Sequence, residues 1–171
     1  MSLDFYLQLY ARTHGIDPTI AFYTQAIVNA SSIPGRIAPH IAIKKFGVWN
    51  ALIIFGFSSA ALIFALFGVH TVAGVLVFSI LWGFFSGGLL TLMAATAAST
   101  VKDPGETGMR MGLAFAIGNI GSLTGPPING ALLGSEYHWF KTIIFSGTAM
   151  VAGSAIYIWN RYFVYRRDMA V

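Results

Sequence analysis

No cysteine occurs among the 171 residues, which excludes a disulfide framework, a thiolate nucleophile and a cysteine-held metal. Charge is almost as scarce: Asp, Glu, Lys and Arg make up 9% of the chain, against roughly a quarter in soluble domains. From Phe46 to Val101, 56 consecutive residues include none of the four. A soluble fold of this size needs a charged shell, and too few residues exist to build one. What is present instead is apolar bulk, with 56% hydrophobic residues and a mean hydropathy of +0.71. A hydrocarbon core of about 30 Å takes roughly 20 helical residues to cross. The uncharged run is therefore too long for one crossing and suited to two, with the break expected at Gly68-Val69-His70-Thr71.

Charge-poor stretches divide the whole chain into five candidate spans, 19–37, 48–67, 72–100, 111–133 and 140–162, forming one transmembrane domain over residues 1–171. In lipid every backbone polar group must be satisfied within the protein, which leaves helices or closed barrels. These runs are far longer than the roughly ten alternating residues of a barrel strand. The fold class that follows is all-α, a multi-pass helical bundle integral to a membrane. The third run exceeds one crossing and extends through Ala97-Ala98-Ser99-Thr100. Orientation follows from the basic residues, since short loops rich in Lys and Arg stay in the cytoplasm. Arg36, Lys44, Lys45, Lys102, Arg110, Arg161, Arg166 and Arg167 fall on one side, against Arg12 and Lys141 on the other. The C-terminal end is then expected in the cytoplasm. The segment before Thr19 has no basic leader, and its apolar piece Leu3 to Ala11 reads as the tail of an earlier helix.

Enzyme chemistry loses its support by omission. No Asp, Glu, Lys or His lies near the middle of a span, so an intramembrane carboxylate pair, a metal cluster or a serine with its base is missing. His14, His40, His70 and His138 all sit at span ends, where an interfacial role is expected rather than ligation. No cofactor is implied. The net charge of +4 does not point to nucleic acid either, because the ten basic residues lie between apolar runs rather than in one patch with aromatic platforms.

Polar side chains within the spans form a short set: Gln25, Asn29, Ser31, Ser32, Ser86, Thr91, Asn119, Ser122, Thr124 and Asn129. Ser and Thr can return their hydroxyls to the preceding turn of their own helix. The amides of Gln25, Asn29 and Asn119 do this less easily. They bond helix to helix, or they face a water-filled cavity and contact a solute. Glycine pairs four apart occur at 83/87, 108/112, 121/125 and 130/134, a spacing that lets helix backbones approach closely. Gly121 and Gly125 are expected to form such a contact and Val75 to face lipid. Pro126 and Pro127 deny backbone donors in mid-span, so a kink or an unwound turn is expected there.

One stretch carries a resemblance: Asn29-Ala-Ser-Ser-Ile-Pro-Gly35-Arg36-Ile-Ala-Pro-His-Ile-Ala-Ile-Lys44-Lys45-Phe-Gly47. It resembles the turn between the eighth and ninth helices of major facilitator superfamily transporters, where a Gly-Arg pair ends one helix and a basic, Gly-bearing turn starts the next. With the opening Phe-Tyr-Leu-Gln-Leu-Tyr-Ala and the later Met109-Arg-Met-Gly-Leu-Ala-Phe…Thr-Gly-Pro-Pro-Ile-Asn-Gly, the whole order resembles the C-terminal half of a fungal monocarboxylate-transporter-like permease. The resemblance implies that the spans are helices eight to twelve and that Leu3–Ala11 ends helix seven. It implies a secondary transporter for a small organic solute, working by alternating access between two halves, with Gln25, Asn29 and Asn119 as substrate-binding residues. Animal members carry an intramembrane Asp and Arg on the eighth helix; Asn29 and Ile33 stand at those positions here, so proton coupling and a monocarboxylate substrate do not carry over. The partners implied are membrane lipid, the solute, and a second chain or a missing N-terminal half. The alternatives are a membrane interaction protein that transports nothing, its glycine faces binding another chain, and an inactive truncated fragment.

Overall fold

The computed structural model describes residues 18–69, 71–99, 101, 104–133 and 139–168. Leu3–Ala11, Arg12, His14, His70, Lys102 and His138 lie outside them. The described residues form five helices and no strand: α1 (Pro18–Phe46), α2 (Val48–Ala65), α3 (Val72–Ser99), α4 (Thr107–Leu133) and α5 (Trp139–Asp168). Short 3-10 turns at Leu66–Gly68 and Pro104–Glu106 lead out of α2 and into α4. The break in the uncharged run falls where the sequence places it, between Gly68 and Val72. Three segments, Val48–Gly68, Val72–Ser99 and Phe140–Phe163, are long and apolar enough to cross a membrane. The other two helices, α1 and α4, are comparable in length but carry internal prolines and the amides Gln25, Asn29, Asn119 and Asn129.

The Gly35-Arg36 pair does not end a helix. Helix α1 continues through Pro34 and Pro39 to Phe46, and the chain reverses at Gly47, whose φ of 80° is open to a residue without Cβ. The Gly47 N–H donates to the Ile43 carbonyl at 2.9 Å, and Lys44 and Lys45 occupy the last turn, where cations complement the carbonyl end of the helix dipole. Gly35 serves packing instead: a Cβ there would run into the Phe84 carbonyl of α3. Pro126 and Pro127 likewise lie within a helix that continues on both sides of them, without an unwound segment.

Close approach of α1 and α3 organises the bundle. Thr24, Val28, Gly35 and Pro39 form a buried stripe on α1, and Gly83 and Gly87 on α3 lie against the backbone at Val28 and Ser32. A Cβ on Gly87 would sit 2.8 Å from the Ser32 carbonyl oxygen, so this pair is a packing face as its spacing implies. On the other side α2 packs between α3 and α5, with Gly56 beside Ser154 and Gly147 beside the Phe64 ring. Two core clusters result, one around Val28, Phe78, Trp82 and Ile143, the other around Leu52, Phe55, Leu89 and Leu92.

Helix α4 departs from the glycine expectation. Gly108, Gly112, Gly118 and Gly121 have nothing within 4 Å of where a Cβ would stand, and Leu123 on the same helix is 75% exposed. Its buried residues are Asn129 and Leu133. Four-residue spacing makes close contact possible, but contact needs a partner surface, and at these four glycines none of the described residues comes within reach of a Cβ. The expectation of a close contact at Gly121 is therefore corrected, as is that of a lipid-facing Val75, which is fully buried between the helices.

Candidate functional site

Beside the buried stripe of α1 runs a polar one. Gln25, Asn29, Ser32 and Arg36 are spaced four, three and four residues apart, which puts them on one helix face about 16 Å long. All four line a cavity of about 280 Å³ closed on its other side by Trp82, Ser86 and Leu90 of α3 and by Met150 of α5. The close α1–α3 contact at Gly83 and Gly87 fixes the two walls relative to one another.

Hydroxyls contribute little to this site's free bonding capacity. Ser32 donates to the Asn29 carbonyl at 2.7 Å and Ser86 to the Gly83 carbonyl at 3.3 Å, each within its own helix. Ser31, Thr91 and Thr124 do the same toward Ile27, Gly87 and Ile120, as local back-bonding predicts. The groups left to meet a solute are the amides of Gln25 and Asn29 and the Arg36 guanidinium. Glu106 is the one carboxylate among the described side chains, and it pairs with Arg110 at 3.0 Å on the surface. Among the described residues, Arg36 is the single charge lining the cavity.

Gln25 and Asn29 share this cavity, while Asn119 lies exposed on α4 and outside it. Arg36, not among the expected solute contacts, lines the same cavity; the signal was its seven-residue spacing from Asn29. An interhelical amide contact belongs to Asn129, 1% exposed, whose Oδ1 accepts from the Ser146 hydroxyl of α5 at 3.3 Å. Both residues line a second cavity of about 350 Å³ with Thr124, Gly125 and Ile63. No group of three or more metal-ligating side chains occurs among the described residues.

No family model matches the chain, and no solved structure matches it significantly. Curated proteins do. The chain is 40% identical over 153 residues to the aspyridones efflux protein apdF of Emericella nidulans, covering 89% of the chain and 31% of that protein. It is 33% identical over 165 residues to the MFS-type transporter pynF of Aspergillus niger, covering 96% and 38%. It is 34% identical over 157 residues to the agnestins efflux protein AgnL12 of Paecilomyces divaricatus, covering 92% and 36%. The chain thus spans about a third of the length of these relatives. Their names are those of transporters and efflux proteins rather than enzymes, and they carry the superfamily without specifying monocarboxylates. With its long apolar helices the chain is an integral, multi-pass membrane protein, and it belongs to the major facilitator superfamily.

Proposed function

We propose that this chain forms part of a secondary transporter that exports a small organic solute by alternating access, with Gln25 and Asn29 as solute contacts. The observation that carries the reading is the polar face Gln25, Asn29, Ser32 and Arg36 lining one cavity in an otherwise apolar bundle. Polar groups held at membrane depth are costly and mark solute paths. Two amides and a guanidinium suit a solute that offers hydrogen-bond acceptors. Asn119, outside this cavity, meets the solute in this reading only from the face that α4 turns toward the rest of the transporter. Export is favoured over import because relatives at 34 to 40% identity are named for efflux of aspyridones and agnestins.

The test is a gene deletion in the host, followed by the ratio of secreted to cell-retained organic compounds. Loss of the transporter should leave at least one compound retained. Restoring the gene with Asn29→Ala should lower its export by about two- to tenfold at unchanged membrane level, the equivalent of one lost hydrogen bond. A ratio unchanged for every compound would overturn the reading. A second reading rests on the open glycine face of α4, which suits an interaction protein; it predicts that the deletion leaves export intact while Gly112→Leu and Gly121→Leu release a membrane partner.

A further inference from the structure

The two cavities share two walls. Trp82 and Met150 line both the polar cavity beside α1 and the second cavity beside α4. Each side has its own hydrogen-bonding set: Gln25 and Asn29 on one, Asn129 and Ser146 on the other. At about 280 and 350 Å³ each lies near the small end of ligand pockets, whereas the two joined would fall well inside the drug-sized range. What separates them decides the size of the solute.

The two shared residues differ in how firmly they are held. Trp82 is 4% exposed, stacks on Phe78 at 6.1 Å with the planes 5° apart, and precedes Gly83, whose backbone is pressed against α1. Turning the ring would break that stack and disrupt the buried cluster it forms with Val28, Ile63 and Ile143. Met150 is only partly buried and packs against both core clusters. Its unbranched thioether has three rotatable bonds and fills irregular gaps, so it can change rotamer with both clusters intact.

We propose that Met150 is a movable gate between two solute compartments and Trp82 the fixed jamb. The solute class this admits is an elongated amphipathic molecule with hydrogen-bonding groups at both ends and a flat apolar middle. One end engages Gln25 and Asn29, the other Asn129 and Ser146, and the middle lies on the Trp82 ring. The inference rests on the transporter reading and names the shape of its solute.

The test uses the full chain in phosphatidylcholine nanodiscs and two probes that carry an amide at each end: 4-acetamidobenzamide, with one ring, and 4,4′-diacetamidobiphenyl, with two. Saturable binding of each is measured by calorimetry. Met150→Trp, which fills the opening, should weaken the two-ring probe by about tenfold and the one-ring probe by less than about twofold. Met150→Ala, which empties it, should bind the two-ring probe at least as tightly as the parent and serves as the variant least exposed to overpacking. Equal weakening of both probes by Met150→Trp, or of neither, overturns the gate and leaves the transporter reading standing. Absence of saturable binding of either probe to the parent chain overturns the cavity as a solute site, and the gate with it.

Discussion

Replacing Gly83 by alanine should destabilise the bundle, whereas the same change at Gly121 should not. At Gly83 a new Cβ would stand 2.9 Å from the Ser31 Cβ and 3.0 Å from the Val28 carbonyl carbon, with the Val28 carbonyl oxygen nearer still. Ordinary van der Waals contact begins near 3.4 Å, and two of these neighbours are backbone atoms that no rotamer change can remove. Helices α1 and α3 must therefore part by several tenths of an ångström along their closest line of approach. Overpacking of this kind costs about 1–3 kcal/mol, reduced by the roughly 0.5–1 kcal/mol that alanine gains over glycine inside a helix. At about 2–4 °C per kcal/mol for a chain of this size, the melting temperature should fall by several degrees. Gly121 has nothing within 4 Å, so alanine there keeps only the helical gain and the melting temperature should hold or rise. Detergent-solubilised protein, heated and read by fluorescence size-exclusion chromatography, gives both numbers. A Gly83→Ala protein as stable as the parent, or an equal loss at Gly121→Ala, would refute the claim that backbone approach at α1–α3 organises this fold.

The other expectations concern amides, charge and topology. Asn129→Ala should lower thermal stability more than Asn119→Ala, because only Asn129 is buried with a partner on another helix; one such bond is worth about 0.5–1.5 kcal/mol, and equal melting temperatures would contradict it. Glu106→Gln should change stability by less than about 0.5 kcal/mol, since its pair with Arg110 is half-exposed, and a larger fall in a chemical-denaturation curve would show the pair to be structural. The absence of native cysteine makes single-cysteine labelling clean. In sealed membrane vesicles with the cytoplasmic face outward, Lys45→Cys should react with a membrane-impermeant maleimide and Gly68→Cys should not; the reverse pattern would invert the orientation read from the basic residues.

Much of this was written in the chain. Scarcity of charge and the lengths of the apolar runs required helices in a membrane, because only helices and closed barrels satisfy the backbone there and the runs far exceed a barrel strand, and an uncharged run too long for one crossing placed the break at Gly68–Val72. The hydroxyls of Ser31, Ser32, Ser86, Thr91 and Thr124 turned back onto their own helices, a local event that spacing alone predicts. The amides could not be assigned that way. Gln25, Asn29, Asn119 and Asn129 are alike in sequence, and only the neighbouring helix decides that Asn129 is bonded across to Ser146 while Asn119 is exposed. The glycine pairs teach the same lesson: spacing permits close approach at 83/87 and at 121/125 alike, yet α1 covers the first pair and no described helix covers Gly121. Periodicity is a property of one helix and is legible from its residues. A cavity shared by α1, α3 and α5, and a wall made by Trp82 and Met150, two residues 68 apart in sequence, exist only once the bundle has closed.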